Sequence, residues 1–77
     1  MIWNGRELKT MGDVMAAALE VKTRDQGKRF FWMYMEACPD LDEKAATDNF
    51  AYGFSRFLEG DDPDGSRYRR YMELILP

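Results

Sequence analysis

Thr23-Arg24-Asp25-Gln26-Gly27-Lys28-Arg29-Phe30-Phe31-Trp32-Met33-Tyr34-Met35-Glu36-Ala37-Cys38-Pro39 is the stretch that decides how this chain folds. Thr23 and Gln26 stand at capping-box spacing, where each side chain satisfies the other residue's backbone amide. Pro39 has no amide to donate and disfavours a helical residue before it, so the helix stops there. Cap and stop together predict a helix over 24–38. Gly27 in its first turn costs about 1 kcal/mol relative to alanine. Six consecutive bulky residues, Phe30 to Met35, then cover almost the whole circumference, and no single core takes them all. Phe30, Tyr34 and Ala37 share one side, and Phe31, Met35 and Cys38 share the next. Two readings stay open. Either this is a central helix buried all round, or the side centred on Trp32, with Met33 or Met35, stays exposed and docks something. Exposed apolar patches mark interaction sites, and Trp, Tyr and Met are enriched in them.

Working outward, residues 1–9 read as an extended arm. Asn4-Gly5 is a two-residue turn signal, across which Ile2-Trp3 pairs with Glu7-Leu8. So small a hairpin needs something to pack on, and Ile2, Trp3 and Leu8 are its handles. A helix over 10–22 opens on Thr10 and Asp13, a capping box with Asp in place of Glu. Met11, Val14, Met15, Ala18 and Leu19 form its apolar stripe. A helix over 41–59 opens on the acidic Asp40-Leu41-Asp42-Glu43, where the helix dipole favours negative charge. Its wide apolar face runs from Leu41 through Phe50, Phe54 and Phe57 to Leu58. Gly53 lies within that face, where it would let a neighbouring helix come close, and Gly60 is the C-cap. A helix over 63–76 follows, with Asp62 as N-cap and Pro63 at the first helical position. Tyr68, Tyr71, Met72 and Ile75 make its apolar side. Val14, Leu19, Phe50, Phe54 and Phe57 hold the centres of these stripes and are expected to be buried. The fold class that follows is mainly all-α. It is a single domain over 1–77, a compact bundle of three or four short helices with a short N-terminal extended arm or hairpin.

Composition narrows the chemistry. A chain of 77 residues buries only about 60–65% of its unfolded surface, so it needs a dense core. With 45% hydrophobic and 14% aromatic residues, it has the material for one. The chain contains no histidine, so the usual general base and the common metal ligand are both missing. Ser55 and Ser66 lack the context of a nucleophile. Cys38 is the only cysteine, which forbids an intrachain disulfide and fits a reducing cytoplasm. It stands at a helix end without an activating partner and reads as structural. The acidic stretch Gly60-Asp61-Asp62-Pro63-Asp64-Gly65 suggests calcium, but its spacing fails. With Gly65 as the loop glycine of an EF-hand, Gly60 and Tyr71 would fall at the first and last ligand positions. No enzymatic activity, metal or cofactor is therefore expected. The longest apolar run is too short to cross a bilayer, and no signal peptide opens the chain. Beginning at Met1 without tag or linker, the sequence reads as a complete small frame.

Arg67-Tyr68-Arg69-Arg70-Tyr71 mixes cations with aromatic rings, a combination suited to phosphate contact and base stacking. The competing reading is an amphipathic helix with its tyrosines inward and its arginines solvated or paired, Arg69 with Glu73 four residues on. A net charge of −3, from 14 acidic and 11 basic residues, favours the second. Two stretches, Asn4-Gly5-Arg6-Glu7-Leu8-Lys9-Thr10-Met11-Gly12-Asp13-Val14 and Asp48-Asn49-Phe50-Ala51-Tyr52-Gly53-Phe54, are similar to small uncharacterised proteins of actinobacterial phages and prophages. They span about a quarter of the chain. The resemblance implies a genomic setting and carries over no functional residue. The expectation is a small cytoplasmic, non-enzymatic module that binds another protein, a phage-encoded modulator of a host or defence complex. Phe31, Trp32, Met35 and Trp3 are its candidate contacts. The alternative is a nucleic-acid-binding protein using Arg67, Arg69 and Arg70. If neither the N-terminal arm nor Leu74-Ile75-Leu76 covers the excess apolar surface of residues 30–35, the remaining cover is a second copy of the chain, as a homodimer, or a foreign partner.

Overall fold

Each helix begins where a side chain satisfies backbone amides that have no partner within the helix. The computed structural model describes residues 1–77. In α1 (Met11–Ala18), Thr10 Oγ1 accepts from the Asp13 amide at 3.1 Å, and Asp13 Oδ2 accepts from the amides of Lys9 at 3.0 Å and Thr10 at 3.1 Å. The Lys9 amide first, then that of Thr10, holds the Asp13 carboxyl below its ordinary value. The helix is shorter than the expected 10–22. The amides of Leu19, Glu20 and Val21 bond to carbonyls three residues back, and these tight turns end α1 early while delivering Val21 to the core.

The second capping box opens α2 (Arg24–Ala37). Thr23 Oγ1 accepts from the Gln26 amide at 3.2 Å, and Gln26 Oε1 accepts from Lys22 at 2.7 Å and Thr23 at 3.3 Å. Asp42 caps α3 (Glu43–Phe57) by accepting from Ala45 at 2.8 Å, so the helix starts two residues after the expected position. The last helix also departs from expectation: α4 is Ser66–Ile75, and Pro63 is not its first residue. Gly65, at φ 72°, occupies the N-cap position. Asp62 still caps the helix, from farther back. Its two carboxylate oxygens accept from the amides of Arg67 at 3.1 Å and Tyr68 at 2.9 Å, while Asp64 accepts from Ser66 at 3.0 Å.

The N-terminal hairpin pairs β1 (Ile2–Trp3) with β2 (Arg6–Glu7), Ile2 opposite Glu7 and Trp3 opposite Arg6. This is one residue earlier than the expected partner Glu7-Leu8. Positive φ at Asn4 (50°) and Gly5 (78°) makes the turn. The Leu8 amide then bonds to the Met1 carbonyl at 2.6 Å, and the Leu8 side chain enters the core.

The bundle is built around α2, which packs against α3, α4 and β1, while α1 lies on α3. Phe50 of α3 centres an aromatic cluster, with ring centroids 5.2 Å from Tyr34, 5.8 Å from Phe54, 6.0 Å from Phe30 and 6.4 Å from Phe31. Val14, Phe50 and Phe54 are buried as expected. Leu19 is only half-buried and Phe57 is exposed, although Val21 and Leu58 just after them are buried: where α1 and α3 end, these two side chains fall on the outer side of the chain. Ala37, at the end of α2, is exposed for the same reason.

The closest helix approach is also not at the expected glycine. A methyl group on Gly27 would collide with the carbonyl of Leu74, backbone against backbone, where α4 crosses α2. At Gly53 the same group would meet only the tip of the Met15 side chain, 2.8 Å away. Gly27 therefore permits the crossing that fixes α4.

Candidate docking surface on the second helix

Around α2, each side meets something different. Phe30, Phe31 and Tyr34 point into the aromatic cluster, and Gly27 lies under α4. Trp3 covers a further flank, edge-on to Phe30 at 5.1 Å. The remaining side carries Lys28, Trp32 and Glu36, four residues apart and all exposed. Trp32 is 65% exposed, whereas its neighbour Phe31 is 5% exposed.

Trp32 stands over a groove of about 280 Å³. Phe31 and Met35 line it from α2, and Ile75 and Pro77 line it from the C-terminal segment. Its charges are segregated. Arg24 and Lys28 come from the first two turns of α2, and Glu43 opens α3 just beyond the other end of α2. The chain has three ion pairs, Arg6–Glu20, Lys44–Asp48 and Arg56–Glu59. Lys28, Glu36 and Glu43 therefore have no oppositely charged partner.

Arg24 is the residue that sequence reasoning missed. Its Nη1 donates to the carbonyls of Leu76 at 2.7 Å, Leu74 at 2.9 Å and Glu73 at 3.4 Å. A cation here satisfies carbonyls left over at the C-terminus of α4 and ties down the segment that lines the groove. Nothing local in the sequence signals this, since the partners lie about fifty residues away.

Of the four sequence candidates, only Trp32 is a free surface group. Phe31 belongs to the core, Met35 is half-buried in the groove, and Trp3 is half-buried on another side of α2. Trp3 Nε1 is enclosed without a hydrogen-bond partner, as is the Tyr34 hydroxyl, whose pKa burial pushes up. The arm and the C-terminal segment thus take two flanks of the apolar run and leave Trp32 uncovered.

Arg67, Arg69 and Arg70 are all exposed, and none is ion-paired. The expected Arg69–Glu73 pair is not formed. Arg69 turns toward Gly65 and Asp64 at the start of α4, and its charge is one of the lesser causes lowering the Asp64 carboxyl; the Ser66 amide is the main one. Arg70 lies over the Tyr71 ring at 5.7 Å. Helix geometry puts Arg67 and Arg69 about 160° apart around α4, so the three do not form one stripe.

Exposed Met11, Tyr52 and Phe57 provide further apolar surface on α1 and α3. No helix is long and apolar enough to cross a membrane. No protein-family model matches the chain, and no curated protein or solved structure matches it.

Proposed function

We propose that this chain is a small non-enzymatic protein-binding module, a phage-encoded modulator of a host or defence complex, that docks through the Trp32 side of α2. One observation carries the reading. A tryptophan stands 65% exposed over an apolar groove, in a domain whose other bulky residues in the 30–35 run are buried or half-buried. Tryptophan is among the residues most enriched at binding hot spots, where a pocket or partner excludes water from it. The groove supplies an apolar lining and charges of both signs. The phage resemblance supplies the setting.

Affinity capture from an actinobacterial lysate tests this, comparing the wild type with Trp32→Ala and Tyr52→Ala. Tyr52 is equally exposed, at 65%, but lies on α3. The expected result is a specific protein held by the wild type and by Tyr52→Ala and lost with Trp32→Ala. Equal capture by all three would overturn the assignment of the face.

Nucleic-acid binding is the second reading, favoured by three exposed arginines without carboxylate partners. Their separation around α4 and the net charge of −3 weigh against it. Titration with DNA and RNA at several salt concentrations is expected to give no appreciable affinity at physiological salt. Tight binding with a steep salt dependence, weakened by replacing Arg67, Arg69 and Arg70, would reverse the order of the two readings.

A further inference from the structure

We propose that the Trp32 face of α2 pairs with the same face of a second copy of this chain, antiparallel and about a two-fold axis passing at Trp32. The proposal rests on the reading of that face as a protein-docking surface and names its occupant. Charge complementarity selects a second copy as the occupant. Lys28 precedes Trp32 by four residues and Glu36 follows it by four, so all three lie on one exposed line of the helix. A two-fold axis at Trp32 sets the two rings together and each Lys28 against the other copy's Glu36. In such an isologous contact every favourable pair occurs twice. The same operation sets Arg29 opposite Met35, while Asp25 falls opposite the chain beyond the end of α2, so no like charges are set opposite each other within the helical span. Parallel pairing would instead oppose Lys28 to Lys28 and Glu36 to Glu36. The exposed apolar surface around Met11 and Phe57 makes no comparable selection, because its charges Arg56 and Glu59 already pair within the chain at 3.4 Å.

A contact along one fourteen-residue helix is smaller than the roughly 800 Å² per partner of a standard interface, so the dimer is a weak one. Sedimentation equilibrium from about 10 μM to 1 mM covers the relevant range. Wild type is expected to associate reversibly within it. Trp32→Ala, Lys28→Glu and Glu36→Lys are each expected to weaken association by about ten-fold or more. Mixing Lys28→Glu with Glu36→Lys is expected to restore it, because every 28–36 contact of the mixed dimer again joins opposite charges. Charge reversals at exposed positions leave the fold intact, and circular dichroism of each variant checks this. Wild type that stays monomeric at 1 mM overturns the proposal, as does association that Trp32→Ala leaves unchanged or that the mixture fails to rescue. Failure of the docking reading is separate: it is seen in the lysate capture, run with the chain well below about 10 μM, where the weak dimer is dissociated and the face is free.

Discussion

Phe31 and Trp32 are adjacent and similar in bulk, yet one is 5% exposed and the other 65%. The helical period sends them to different sides of α2, and the neighbours of each side do the rest. Phe31 faces Phe50 across the aromatic cluster, at 6.4 Å between centroids. Trp32 faces water because the hairpin and α4 dock on other flanks. The comparison shows that hydrophobicity alone does not place a residue in a core. A helix that is apolar all round has a core only where other elements reach it, and the side they leave open is a surface with core-like chemistry.

The largest expected effect lies on the inner side. Phe50→Ala removes the ring at the centre of the cluster and is expected to cost about 3–5 kcal/mol in denaturant unfolding. Phe54→Ala should fall in the same range. A loss below about 1 kcal/mol for either would break the contrast, since these positions would then behave like surface.

Next come the two glycines. On helix propensity alone, alanine at Gly27 or at Gly53 should stabilise by about 1 kcal/mol. At Gly27 the new methyl group meets the Leu74 carbonyl, which is backbone and has little room to move. Gly27→Ala is therefore expected to destabilise by about 1–3 kcal/mol despite its better propensity. At Gly53 the obstacle is the flexible end of Met15, so Gly53→Ala is expected to be near neutral. Thermal unfolding of both variants measures the difference, and two stabilising substitutions would mean that α4 is not pinned at Gly27.

Arg24→Met keeps an apolar stem but removes the donor to the last carbonyls of α4, at a cost of about 1–2 kcal/mol. It is also expected to raise hydrogen exchange in residues 72–76 selectively. Uniform exchange along the chain would show that Arg24 does not hold the segment that lines the groove.

Asp13 caps α1, remote from both sides of α2, and serves as a control. Its carboxyl is held below the ordinary value of 3.8, chiefly by the Lys9 amide. A depressed folded-state pKa gives stabilisation that is complete above the unfolded value and is lost as pH falls through the folded one. Asp13→Asn keeps acceptor oxygen but not charge. The melting-temperature gap between wild type and this variant is expected at neutral pH and should close as the pH drops below 3.8. A gap independent of pH would contradict the assignment.

What was legible in the sequence was local. Thr10 with Asp13, Thr23 with Gln26, and Pro39 are interactions over three or four residues, and they set the starts of α1 and α2 and the end of α2. Asn4-Gly5 was legible for the same reason, although its strand register slipped by one residue. Asp62 was recognised as a cap, but Gly65 lets the chain turn before the helix begins, so the acid acts from farther back. The excess of bulky residues at 30–35 showed that one core could not take them all, but left open whether other elements would cover the rest. That Trp32 stays exposed, and what Gly27 and Arg24 do beside it, depended on α4 crossing α2 some fifty residues later in the chain. No local pattern encodes that crossing. Phe57 and Leu19 continued their stripes in sequence, but at the helix ends the turning chain carries Leu58 and Val21 inward in their place.

The most direct measurement is denaturant unfolding of Phe31→Ala and Trp32→Ala side by side, at a protein concentration low enough to keep the chain monomeric. Both substitutions remove an aromatic ring from consecutive positions of α2. The expected result is a loss of about 3–5 kcal/mol for Phe31→Ala and a change within about 0.5 kcal/mol for Trp32→Ala. Comparable losses for the two would show that Trp32 is part of the core and that α2 has no free face to offer a partner.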